Sequence, residues 1–445
     1  MQRMTCQHCH RLQEENQRLK EENTRLQREN TELRRRLALY ENPNTPPSRR
    51  RYPTRSRARK SGRRFPGRPR GYPGRTRPRP RPDVVKAPEW KERCEGCGAP
   101  LGMPVHVGHR IVEEIPDPAP RQVIDFLEFG WVCPECGAST TSRHPECPPE
   151  GRFGRNVLVQ AILMKYEERL PHRKVCETLD RTYGLSITPA TALDITRRVS
   201  DWLRPEYTRI LHRIRSAPVV YVDETGAKVE GALHWTWAFT TGGKTLVAVR
   251  KSRGKKVLEE VLGEGFDGVI VCDGWRAYPS YTGRIQRCWA HLLREAEHLA
   301  ERVDEAGPLS EALHGLYAGL RRWAVDRPPP GEAERLAGEA KALMMEWAGR
   351  SYESAEVRRF AAKMRNGIDH WFTFLVVPDV EATNNRAERA LREHVVQRKI
   401  MGCFRNGKGT RIYETVMTVL ASWKQQSRNL SQTLSATLTQ EWNKS

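Results

Sequence analysis

Two apolar runs, each ending in an aspartate, limit what this chain can fold into more than any other feature. Pro218-Val219-Val220-Tyr221-Val222 stops at Asp223, followed by Glu224, Thr225 and Gly226; Gly268-Val269-Ile270-Val271-Cys272 stops at Asp273, followed by Gly274. Short runs this rich in β-branched residues predict buried strands with an acid at each tip. Between them lie two more strand-like stretches, 232–240 and 245–250, joined by the turn residues Thr241-Gly242-Gly243, and then a short helix at 255–262. If the first and fourth strands are neighbours in a mixed sheet, both carboxylates leave the same edge, where open α/β sheets place their sites. Two carboxylates there repel unless a cation lies between them. Hard oxygen ligands with no nearby histidine favour Mg²⁺ or Mn²⁺. Two such ions roughly 3.5–4 Å apart activate a water or hydroxyl and stabilise the leaving oxygen of a phosphodiester. An aspartate after a strand is also a common turn starter, so the metal reading requires a third acid.

The net charge of +22 on 445 residues makes an acidic polymer the expected partner. No apolar stretch approaches the roughly 18 residues of a membrane span, and no signal peptide precedes the first polar helix. The expectation is a cytoplasmic, nucleoid-associated protein with no membrane contact. Cysteines number eleven and fall partly in Cys-x-x-Cys pairs, which in a reducing compartment indicates metal binding.

Residues 1–42 predict a coiled coil. Leu12, Leu19, Leu26 and Leu33 recur every seven residues with Tyr40 next in register, and Asn16, Asn23, Asn30 and Leu37 occupy the alternate seam. Seam asparagines favour a parallel, in-register homodimer, and Glu15 with Lys20 and Glu29 with Arg34 have the signs for attraction between chains. Upstream, Cys6 and Cys9 with His8 and His10 form a candidate zinc ligand set or a frayed terminus. Residues 43–84 predict a disordered Arg/Pro/Gly-rich linker: positions 42–82 hold fifteen basic residues and no acidic one. Its Gly67-Arg68-Pro69-Arg70-Gly71 resembles the AT-hook core, with Arg68 and Arg70 in a minor groove, although a plain basic linker is the simpler reading.

In 85–150, Cys94, Cys97, Cys133 and Cys136 form two Cys-x-x-Cys-Gly knuckles with strand-like 105–115 and 123–132 between them. Four thiolates leave no open coordination position, so a structural Zn²⁺ is expected, with Cys147 as a spare ligand. Residues 151–215 are helical in pattern. Helices at 172–183 and 188–202, the second opened by Thr188-Pro189, allow a helix-turn-helix reading as readily as a plain connector. The first part of the α/β core, 216–290, ends in a strand at 284–289 and Cys288-Trp289-Ala290-His291. An α-helical insertion follows at 291–378, then a second core part at 379–425 and a C-terminal tail at 426–445. In the second part Thr383 is expected to cap a helix carrying Glu388, with Arg392 on the same face. That helix would bring Glu388 to the aspartates and Arg386, Arg389 and Arg392 to phosphates; an ordinary surface helix is the alternative. Trp235 and Trp237 are expected to pack on one sheet face.

Val222-Asp223-Glu224-Thr225-Gly226, Val271-Cys272-Asp273-Gly274, Cys288-Trp289-Ala290-His291-Leu292-Leu293-Arg294-Glu295 and Thr383-Asn384-Asn385-Arg386-Ala387-Glu388-Arg389 resemble the signature blocks of transposases of the insertion-sequence sixty-six family. The resemblance extends from about Leu12 to Gly409, with Pro46-Pro47-Ser48 and the double Cys-x-x-Cys domain in the order the family implies. It implies a multidomain α+β protein: coiled coil, small zinc-binding domain, and a ribonuclease-H-like α/β core interrupted by the helical insertion. It further implies an Asp-Asp-Glu triad at Asp223, Asp273 and Glu388, with Cys288 and His291 matching a Cys-x-x-His element near the site. The function implied is metal-dependent cleavage at element ends and strand transfer into target DNA, with double-stranded DNA as the partner and accessory element-encoded proteins as further candidates. The alternatives are a transposase-derived DNA-binding regulator without catalysis, and a nuclease acting on RNA or hybrids.

Overall fold

A computed structural model describes residues 7–38, 80–86, 91–103, 111–112, 118–326 and 329–444. Two compact units divide the chain, 1–50 with 121–445, and 51–120. Arg68, Arg70, Cys6 and most of the strand-like 105–115 stretch lie outside the described residues.

The first unit opens with α1 (Gln7–Ala38), which spans the leucine heptads; Leu19, Leu26 and Leu33 are 50–58% exposed, an apolar stripe that nothing covers among the described residues. Strands β1 (Phe129–Val132) and β2 (Ser139–Ser142) form an antiparallel hairpin around the Cys133 knuckle. Four helices follow: α2 (Arg155–Tyr166), α3 (His172–Tyr183), α4 (Pro189–Trp202) and α5 (Arg204–Arg215). Thr188 caps α4 by accepting from the Thr191 N–H at 3.2 Å. The outward face of α4 sets Arg197 between Asp194 and Asp201, at 2.9 and 3.1 Å.

The sheet comprises β3 (Val219–Val229), β4 (Ala232–Thr240), β5 (Thr245–Arg250), β6 (Val269–Cys272) and β7 (Ile285–Arg287), with α6 (Lys255–Leu262) between β5 and β6. Its order is β5-β4-β3-β6-β7, antiparallel from β5 to β3 and parallel from β3 to β7. This mixed order is consistent with the ribonuclease-H-like core that the resemblance implies. The sequence placed a strand at 284–289; the strand ends at Arg287 instead, because Cys288 is the N-cap of α7 (Trp289–Ala300).

Alternation along the strands divides the interior into two cores. Val220, Val222, Ile270 and Cys272 join α2 to α5, whereas Val219, Tyr221, Val269 and Val271 face the segment expected as an insertion. That second face is covered by α7, α8 (Gly307–Asp326), α9 (Pro330–Gly349), α10 (Ala355–Asn366) and α11 (Thr373–Val376). The insertion therefore shares a core with the sheet. The chain closes with α12 (Asn385–Met401), α13 (Gly407–Gln425) and α14 (Leu430–Trp442). The stretch set apart as a tail buries Leu434, Leu438 and Trp442, and Trp442 stands edge-on to Trp202 at 5.7 Å.

An edge strand exposes a row of N–H groups that must be paired or covered, and α13 covers those of β5 with side chains. Thr245, Val247 and Val249 donate their backbone N–H to Ser422 Oγ, Thr418 Oγ1 and Glu414 Oε1 at 3.0, 2.9 and 3.0 Å. Four helical residues rise about 6 Å and two strand residues about 6.7 Å, so an i, i+4, i+8 ladder meets every second strand residue. Thr418→Val keeps the shape and strands one buried donor. Chemical denaturation should show a loss of about 1–3 kcal/mol; an unchanged midpoint would mean that the ladder contributes nothing.

Candidate active site

Two residues past the last registered pair of β3 and β6, Tyr221 with Val271, the strands reach Asp223 and Asp273. The shared register and the alternation of side chains bring both acids out on the face of Tyr221 and Val271, on strands about 4.8 Å apart. Asp223 Oδ1 accepts from the Glu224 N–H at 2.9 Å, and Asp273 Oδ1 from the Trp275 N–H at 2.8 Å. Burial, then Asp273, Glu224 and Glu388, push the Asp223 carboxyl well above the usual carboxylate range. Asp223 therefore lies in the field of both other expected acids.

The approach of Glu388 is fixed by a residue the sequence reading used only as a motif letter. Asn384, fully buried, donates Nδ2 to Val222 O at 2.8 Å and its backbone N–H to Cys288 Sγ at 3.2 Å. It thereby ties the start of α12 to β3 and to the start of α7. Thr383 was expected to cap this helix; the N-cap is Asn384, whose amide is committed to β3 and makes no capping bond. Farther along, Gln397 donates to Tyr166 O at 3.0 Å and Arg169 holds Glu393 through two bonds of 2.6 and 2.7 Å. One turn into the helix, Glu388 turns toward His291, with Oε1 3.5 Å from Nδ1. Arg389 and Arg392 are exposed. Arg386 is committed to Glu381 at 2.6 Å and lies over the Tyr221 ring.

Glu224, on the opposite strand face, is a fourth acid. Its side chain is fully buried, paired to Arg253 Nε at 2.5 Å and accepting from Tyr278 OH at 2.5 Å. Arg253 lies between the rings of Trp275 and Trp235, at 4.1 and 4.8 Å, and its Nη2 is 3.8 Å from Asp273 Oδ2. Trp237 is buried on the same face as Trp235, as expected from their spacing. The only sequence sign of Glu224's role is its even place in the alternation after Val220 and Val222.

The two knuckles repeat one turn. Gly98 and Gly137 both adopt φ of +72°, which a side chain disfavours, and each donates to the carbonyl of the first cysteine, Cys94 or Cys133, at 2.9 Å. Backbone N–H groups of Gly96 and Cys97 hold the Cys94 thiol below its ordinary value; those of Cys136 and Glu135 do the same for Cys133. Thiols poised toward thiolate suit zinc.

The sequence model of the family described as Transposase IS66 family matches residues 150–412. The chain belongs to this family. The IS66 match includes Asp223, Asp273, Cys288, His291 and Glu388 and stops short of both knuckles and α1. The chain is 26% identical over 274 residues to the uncharacterized protein y4qI of Sinorhizobium fredii, covering 52% of this chain and 49% of that protein. It is 22% identical over 389 residues to the uncharacterized protein y4jD of the same organism, covering 78% and 73%. It thus spans about half the length of the first relative. Among the described residues no helix is long and apolar enough to cross a membrane.

Proposed function

We propose that this chain cuts DNA at the ends of a mobile element and joins the freed 3′ hydroxyl to target DNA, with Asp223, Asp273 and Glu388 as the acids that hold Mg²⁺ or Mn²⁺. The observation that carries this reading is the shared register that brings Asp223 and Asp273 out on one face of adjacent strands, with Glu388 near enough to act on the Asp223 carboxyl. Arg253 is spent on Glu224 at 2.5 Å and reaches Asp273 only at 3.8 Å, and Glu388 Oε1 is buried without a hydrogen-bond partner. An oxygen donor set of this kind fits a hard divalent ion. Such ions, when bound, polarise the phosphodiester and make a water or hydroxyl more acidic. The chain's own residues do the rest. Asp223 and Asp273 are held by main-chain N–H groups, Asn384 fixes the helix that carries Glu388, and the Glu224–Arg253 pair supports Asp273 from the other face. Arg389 and Arg392, exposed one helical turn around Glu388, face solvent where a DNA backbone would lie, whereas Arg386 serves structure first.

The zinc knuckles at Cys94, Cys97, Cys133 and Cys136, the Arg68 and Arg70 segment, and a homodimer through α1 complete the proposed DNA-binding apparatus. The accompanying test is nicking of DNA that contains the element's ends, with Mg²⁺ or Mn²⁺. Asp273→Asn and Glu388→Gln should each reduce the rate by at least about 100-fold, a loss of roughly 2.7 kcal/mol or more in transition-state stabilisation. Equal rates in wild type and either variant would refute the assignment. Binding to end DNA with no cleavage by the wild type would favour the regulator reading.

A further inference from the structure

Glu388 faces a second set of ligands that the oxygen site does not use. Cys288 is the N-cap of α7 and His291 lies one turn in, so Sγ and Nδ1 emerge on the same side of the helix. Among the described residues, Cys288 Sγ, His291 Nδ1 and a Glu388 carboxylate oxygen form the one group of such ligand atoms lying within 4.8 Å of one another. His291 Nδ1 and Glu388 Oε1 are 3.5 Å apart, and both are buried without a hydrogen-bond partner. Cys288 is fully buried, and the Asn384 N–H donates to its sulfur at 3.2 Å, the kind of outer contact that orients a metal-bound thiolate.

We infer that Cys288, His291 and Glu388 form a separate site for a thiophilic divalent ion such as Zn²⁺, sharing Glu388 with the Asp223–Asp273 site. Metal–ligand distances of about 2.0–2.3 Å place the ligand atoms of a tetrahedral ion about 3.3–3.8 Å apart. The His291–Glu388 separation already meets that spacing, and small side-chain rotations bring in the sulfur. One sulfur, one nitrogen and one oxygen select a borderline ion over Mg²⁺, and three protein ligands leave a fourth position open. Because Glu388 cannot serve both ions fully, zinc here withdraws it from the oxygen site and opposes Mg²⁺-dependent cleavage. That consequence rests on the function proposed above, whereas the binding itself does not.

Co²⁺ titration of the full chain tests the binding, with absorption read in the thiolate charge-transfer and ligand-field regions. Knuckle cysteines contribute equally to every chain compared, so differences report the new site. Wild type should bind one more equivalent than Cys288→Ala, and the difference spectrum should be that of a single thiolate. His291→Gln should keep the thiolate band but lose at least about 10-fold in affinity for that equivalent. Superimposable titrations of the three chains would overturn the site. If Cys288→Ala does not fold, as read by circular dichroism, wild-type affinity in His291→Gln overturns it alone. In the nicking assay, Zn²⁺ added at constant Mg²⁺ should inhibit the wild type, and His291→Gln should need at least about 10-fold more. A wild type that never nicks DNA counts against the proposed function, and the cobalt titration still decides the site.

Discussion

Asp223→Asn should melt at a higher temperature than the wild type in metal-free buffer at neutral pH, and at a lower one when Mg²⁺ is saturating. The first half follows from the raised Asp223 carboxyl. Between the ordinary aspartate value near 4 and that raised value, the folded state keeps a proton that the unfolded chain has released. Stability therefore falls as pH rises through this window and stays lowered above it. Asparagine cannot ionise and escapes the loss, so the two proteins should converge below about pH 4. Each kcal/mol recovered raises Tm by about 2–4 °C in a domain of 150–250 residues. The second half follows from linkage: at 100 times Kd an ion contributes about 2.7 kcal/mol to the form that binds it, and the variant forfeits most of this. A variant less stable than wild type in metal-free buffer would show that the carboxylate cluster carries no repulsion.

Arg253→Met should destabilise the chain by about 3 kcal/mol, since removing one partner of a buried ion pair leaves the other uncompensated. Glu224 is fully enclosed, and only the Tyr278 hydroxyl would remain on it. The cation between Trp235 and Trp275 adds about 1 kcal/mol more. Adding Glu224→Gln should restore most of the loss by removing the stranded charge. A double variant no more stable than Arg253→Met would mean that the indole sandwich, and not the ion pair, carries the effect.

The strands were legible because burial writes itself into short apolar runs, and the register follows from equal spacing of the two aspartates from their runs. The acids at the tips followed directly. Less legible were the residues that hold the site from outside. Asn384 reads as a helix cap until the structure shows its amide spent on Val222. Arg253 is one of many basic residues, and its neighbours Trp235 and Trp275 meet it only after the sheet has formed. The 414, 418, 422 ladder on α13 is invisible without knowing that β5 is an edge. Likewise the second core, in which the helical segment covers the sheet, depends on which strand face remains open. Periodicity marks those helices but not what they pack against.

The central claim is that three carboxylates far apart in sequence serve one divalent-ion site. Mn²⁺ binding, counted from the electron paramagnetic resonance of the free ion at neutral pH, tests it directly. The account predicts that Asp223→Asn, Asp273→Asn and Glu388→Gln each weaken binding by at least about 10-fold, while Cys176→Ala, remote from the site, leaves it unchanged. Wild-type Mn²⁺ affinity in Glu388→Gln would contradict it.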